Sequence, residues 1–142
     1  MERLDDTTVA YVLETRRCFE DLRQIAAQLA GLLVLEACGT KDCLTEQSML
    51  AAAEQLLGGA METIGRAAAT ERARRHHEHL SNAARAIRAS LTAAHQGRAI
   101  DPILIPLRTA YTQLRRAGSE LPGFETVAFE QGCCGIATRA AQ

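Results

Sequence analysis

Five cysteines and a cluster of histidines are the residues of this chain best suited to chemistry. Cys38 and Cys43 stand as C-x4-C, and Cys133 and Cys134 are adjacent near the C-terminus. Four thiolates can hold zinc or an iron–sulfur cluster, because soft sulfur ligands suit both. The spacing departs from a zinc ribbon, and two neighbouring cysteines chelate one ion awkwardly. The same thiols could serve as a redox switch. The plainer alternative is small apolar side chains and surface thiols. Convergence of Cys38, Cys43, Cys133 and Cys134 on one point separates these readings. Cys18 falls on a helix core face and reads as packing. Five is an odd number, so in a reducing compartment thiols or ligands are expected before a disulfide framework.

The second cluster runs from Arg72 to His79 as RARRHHEH. On a helix, His76 and His79 are spaced i, i+3 and share a face. Arg75, His76, His77 and His79 are therefore candidates for an anion or ligand site, and the histidines for metal ligands. Zincin chemistry is excluded, because HExxH needs a second His where Ser81 stands. A histidine on a bundle helix could also carry a phosphoryl group in a relay. His77, followed by Glu78 and Asn82, is the candidate for that role. The plainer alternative is a solvated helix end.

The basic stretch around these histidines could attract an acidic partner. Residues 66–88 hold six Arg against two Glu. They lack interleaved aromatics for base stacking, and the isoelectric point of about 6.4 is low for a nucleic-acid binder. Nucleic acid is not the expected partner. Residues 1–65 carry a net charge of −6 and residues 66–142 one of +5. The two halves are complementary and can hold each other. Fifteen of the 16 bases are Arg, which suits planar partners. A combined Arg and Ala excess also follows from GC-rich coding. No phosphate-binding Gly loop, nucleophile elbow or dinucleotide fingerprint is present. No carboxylate pair of the di-iron bundle kind stands out. The expectation is a protein that is not an enzyme.

The elements that must position these residues are helices. The chain has 142 residues, 47% of them hydrophobic, 23% charged and only 4% aromatic. Ala occurs 26 times. This composition suits a single folded domain and is poor material for a β-sandwich or barrel. The N-terminus has no basic segment leading into an apolar core. The longest apolar run, Leu29 to Leu35, is far short of the roughly 20 residues of a membrane span. A soluble cytoplasmic protein without membrane contact is expected.

Helix A is predicted from about Asp6 to Ala37, capped by Asp5 or Asp6 and ended by Gly39. Its stripe is Val9, Val12, Phe19, Leu22, Ala26, Leu29 and Leu33, with Arg16 on the seam. Helix B is predicted from a Thr45 N-cap, with Leu50, Ala53, Leu57, Ala60, Ile64 and Ala67 on one face. Gly58-Gly59 in its middle reads as close helix packing. Helix C carries the cleanest heptad: Ala73, His77, Leu80, Ala84, Ile87, Leu91 and Ala94. That stripe is rotated roughly 150° from the helix B stripe, so a break near 69–72 is predicted. Asp101-Pro102 is a start signal for helix D, and Pro106 complicates it. Gly118 is the predicted end, followed by a turn at Leu121-Pro122-Gly123.

The architecture expected is an all-α, antiparallel four-helix bundle, one domain over 1–142 with an irregular tail from 119. Its expected role is a non-catalytic interaction or regulatory protein that works through helix association. Ile25 to Leu35 is apolar nearly all round, more than one side of a small bundle covers. Leu29, Leu32, Leu33, Val34 and Leu35 are thus the candidate interface of a homodimer.

Overall fold

Asp5 opens the first helix. Its carboxylate accepts the Thr8 backbone N–H at 2.6 Å, serving one of the donors a helix start leaves unpaired. Hydrogen bonding from Thr8 holds the Asp5 pKa below the usual carboxylate range. The computed structural model describes residues 3–39, 43–97 and 99–124. It contains α1 (Asp6–Ala37), α2 (Cys43–Arg66), α3 (Arg74–Gln96) and α4 (Ile100–Glu120). No strand occurs among the described residues, and the fold is an all-α helical bundle. None of its helices is long and apolar enough to cross a membrane.

α1 and α3 each touch all three other helices, and α3 packs most extensively on α4. The cross-links define two ends. At one, Thr8 of α1 bonds Thr70 ahead of α3 at 2.9 Å, and His77 of α3 bonds Ile64 near the end of α2. His79 of α3 reaches Gln113 of α4 at the same end. At the other, Ser90 of α3 bonds Ile103 of α4, and His95 of α3 pairs with Glu54 of α2.

Several boundaries follow the sequence. α1 ends at Ala37, with Gly39 at φ +72° accepting the left-handed step that stops a helix. Residues 67–73 separate α2 from α3, so each stripe meets its own partners. Gly123, at φ +95°, lies in the turn after Leu121.

Other boundaries differ, each for a local reason. α2 begins at Cys43, so Thr45 lies inside the first turn rather than capping it. Gly58 and Gly59 are exposed within α2, and a Cβ on either would meet nothing within 4 Å. The expected close packing there is therefore absent. α4 starts at Ile100 and runs through Pro106. Proline lacks the amide that would serve the carbonyl four residues earlier. That carbonyl belongs to Pro102, an exposed residue of the first turn, where water can serve it. One residue on, the Ile103 carbonyl is buried and accepts the Ser90 hydroxyl at 2.8 Å. Gly118 does not end α4, which continues to Glu120. A Cβ at Gly118 would stand 2.8 Å from the Phe124 carbonyl oxygen. The glycine lets residues 121–124 fold back across the helix.

The core is the meeting of four faces. Leu80, Ile87 and Leu91 of α3 are buried on one side, as the heptad requires. On α1 the buried positions are Thr8, Tyr11, Thr15, Cys18, Leu22, Ile25, Leu29 and Leu32, with Phe19, Ala26 and Leu33 beside them. This seam alternates steps of three and four without interruption. It replaces the predicted stripe in the first turns, where Val9 and Arg16 are exposed. Thr15 tolerates burial because its hydroxyl donates to the Tyr11 carbonyl at 2.8 Å. Cys18 is buried, and burial pushes its thiol pKa up.

Candidate functional site

The histidine cluster sits where α3 begins, and its members diverge. Arg75 is exposed. His76 is fully buried, with its Nδ1 2.8 Å from the Tyr11 hydroxyl. Its ring lies against Phe124 at 4.1 Å between centroids and meets Tyr11 edge-on at 5.5 Å. Phe124 in turn meets Phe19 of α1 edge-on. His76 Nε2 is buried without a hydrogen-bond partner among the described residues. Burial, reinforced by His77 and His79 nearby, pushes the His76 pKa down to about 4. The ring is therefore neutral at pH 7. Burial also raises the Tyr11 pKa, so its hydroxyl stays protonated.

His77 is half-buried, and its Nε2 donates to the Ile64 carbonyl at 3.0 Å. His79 Nδ1 donates to Gln113 Oε1 at 2.8 Å, and its Nε2 lies 3.9 Å from Glu120 Oε1. The expected common site for Arg75, His76, His77 and His79 is thus corrected. One side chain enters the core, one turns to α2, one to α4 and one to solvent. The solvated-end alternative fails equally for His76. His77 Nε2, the natural phosphoryl acceptor of a relay, is taken by a backbone carbonyl.

The cysteine set is only partly described. Cys38 is exposed at the C-cap of α1. Cys43 opens α2, with its side chain outside the described part, and Cys133 and Cys134 lie outside the described residues altogether. Among the described residues no group of three or more His, Cys, Asp or Glu side chains could hold a metal ion.

The expected interface divides within one helical turn. Leu29, Leu32 and Leu33 are buried in the core of the single chain, which removes them from any interface. Val34 and Leu35 are 61% and 45% exposed. Ala27 and Gly31 are exposed on the same side of the helix. The outer face of α1 from Ala27 to Leu35 is therefore open and apolar apart from the half-buried Gln28.

Between these helices at the same end lies a cavity of about 210 Å3. Leu32, Leu33, Leu50, Ala94 and Ile103 form its apolar wall, and Glu36, Glu46, Gln47 and His95 its polar one. Sequence periodicity carries no signal for such a space, since it depends on how four helix ends splay. The Tyr11–His76 pair was also missed. Its available signal was the unbroken three-four seam from Thr8 to Leu32, hidden because two of its members are threonines.

Comparison of the chain with known protein families, with curated proteins and with solved structures finds no match.

Proposed function

We propose that this protein acts without catalysis, by associating through the outer face of α1, and that the face is covered by a second copy of the chain. The observation that carries this reading is the exposure of Val34 and Leu35 together, beside exposed Ala27 and Gly31. No charged residue interrupts Ile25 to Leu35. Ala27, Gly31 and Leu35 step by four, so they line up along the axis, and the two small residues let another helix approach closely. A twofold axis through this face places α1 on α1 of the partner and buries the same residues from both sides. The histidines support the non-catalytic half of the reading. Each makes bonds within the bundle, and His95, which lines the cavity at the α1 C-terminal end, pairs with Glu54.

Sedimentation velocity on Val34→Asp and Leu35→Glu tests it. Both positions are exposed, so neither change should disturb folding, which far-UV circular dichroism checks. Each variant is expected to sediment as a monomer where the unmodified chain sediments as a dimer. Leu13→Asp is the control, because Leu13 is 67% exposed near the other end of α1. It should leave the dimer intact. A monomeric unmodified chain, or equal dissociation by all three changes, would contradict the proposal.

A further inference from the structure

Residues 121–124 close over a histidine that has no place for a second proton. His76 is fully buried, and the Tyr11 hydroxyl occupies its Nδ1 at 2.8 Å. Its Nε2 is buried with no hydrogen-bond partner among the described residues. A neutral imidazole tolerates this with one idle nitrogen. An imidazolium carries N–H on both nitrogens, and its Nε2–H would meet neither water nor an acceptor. The Phe124 ring, 4.1 Å away between centroids, offers a cation–π contact. A ring face does not replace the hydration of a buried charge, so desolvation wins.

The titratable and charged groups around the ring give no relief. α1 presents Tyr11, whose buried phenol stays protonated. α3 itself contributes His77 and His79, whose protonation opposes that of His76. At the end of α2, Glu62 and Arg66 are exposed and pair with each other. α4 brings Gln113 and Glu120, and both lie against His79. Arg72, ahead of α3, reaches the Glu120 carbonyl. Leu121, Pro122, Gly123 and Phe124 carry no ionisable side chain. Burial therefore acts uncompensated among the described residues, and the His76 pKa lies at about 4.

Of the parts that enclose the ring, one is light. Tyr11 belongs to a helix of 32 residues, and His76 to the core of α3. Residues 121–124 lie beyond α4 and are seated by two buried side chains, Leu121 and Phe124. They cross α4 at Gly118, where a Cβ would meet the Phe124 carbonyl. A short segment past a helix end opens at a lower free energy than a core helix. Lifting Phe124 gives water a path to Nε2.

We propose that residues 121–124 form an acid-released latch, in which protonation of His76 lifts Phe124 from the imidazole while the four helices stay packed. Release exposes Phe124 and the edge-on contact it makes with Phe19. That surface lies toward the opposite end of α1 from Val34 and Leu35, so the latch does not depend on the association reading.

Two-dimensional NMR of the full chain, with isotope-labelled phenylalanine and histidine rings, follows both events in one series from pH 7 to pH 3.5. Protonation of His76 and loss of the ring contact between Phe124 and His76 are expected at a common midpoint. The methyl signals of Leu80, Ile87 and Leu91 should hold their positions through it. Linkage requires the reciprocal effect. Phe124→Ala opens the ring to water and should raise the His76 midpoint by at least about one pH unit, a gain of about tenfold or more in proton affinity. His76→Phe should keep Phe124 seated on Phe19 at pH 4.5. Should either variant fold poorly, the series on the unmodified chain still decides the matter. Ring contacts that survive His76 protonation would overturn the proposal. So would an unmoved midpoint in Phe124→Ala, or core methyl signals lost together with the Phe124 contact, which is global unfolding.

Discussion

The Tyr11 hydroxyl lies 2.8 Å from His76 Nδ1, which ties the second turn of α1 to the first turn of α3 inside the core. Tyr11 and His76 are 65 residues apart in the chain, and both are almost wholly buried. Buried polar pairs of this kind fix register, because a shifted helix would leave both groups unpaired.

Stability should fall as this pair is acidified. The His76 pKa is about 4 in the folded chain against 6.5 for an ordinary histidine. The unfolded chain therefore binds the extra proton first. The contribution is complete above about pH 6.5 and is lost as pH falls through the window down to about 4. Its size is up to about 3 kcal/mol. Urea denaturation at pH 7, 5.5 and 4.5 measures the slope. Replacing the pair with Tyr11→Phe and His76→Phe together keeps two rings in place and should flatten it. An unchanged slope would assign the acid sensitivity to other groups.

Two glycine-to-alanine changes should act in opposite directions. Gly58→Ala adds a methyl group to open space within a helix and should stabilise by about 0.5–1 kcal/mol. Gly118→Ala gains the same helix preference but drives a Cβ to 2.8 Å from the Phe124 carbonyl. Relief requires moving the segment that seats Phe124 on His76, so a net loss of about 1–3 kcal/mol is expected. Thermal melts of both variants check the signs. A stabilising Gly118→Ala would show that residues 121–124 are not held against α4.

Ser90 ties α3 to the first turn of α4, just ahead of Pro106. The Ser90 hydroxyl is buried and donates to the Ile103 carbonyl, three residues before the proline. Ser90→Ala removes that bond while the Leu107 N–H can still serve the carbonyl along the helix, at an expected loss of about 0.5–1.5 kcal/mol. Chemical denaturation is the measure, and a loss below about 0.5 kcal/mol would mean that water replaces the hydroxyl freely.

The two apolar helix faces that pack most cleanly were legible in advance, and the polar part of the core was not. The heptad on α3 and the step of phase between α2 and α3 follow from apolar spacing alone, because Leu80, Ile87 and Leu91 pack directly. The face of α1 was misplaced in its first turns. Hydrophobic periodicity prefers Val9 and Val12 to Thr8 and Thr15, yet a threonine whose hydroxyl has a partner, the Tyr11 carbonyl for Thr15 and the Thr70 hydroxyl for Thr8, buries as well as valine. The same blindness hid His76, which sequence alone groups with its charged neighbours. The return of Phe124 over α4 joins Tyr11 in enclosing its ring, and that return depends on the missing Cβ of Gly118. Of the expected interface, Val34 and Leu35 remain available because consecutive helix positions differ by about 100° in direction.

The α3 core can be tested at one position. Leu91 is 2% exposed, and Leu91→Ala should cost roughly 2–5 kcal/mol by removing buried methyl groups and leaving a cavity. Urea titration at pH 7 measures it. A change within experimental error would place that face of α3 in solvent.

The association reading stands or falls on the mass of the unmodified chain in solution. Light scattering behind size exclusion, at tens of micromolar protein and pH 7, reads that mass without a label or a variant. The account predicts twice the 15.4 kDa of one chain. A single mass of 15.4 kDa at that concentration would contradict it and leave Val34 and Leu35 as ordinary exposed residues.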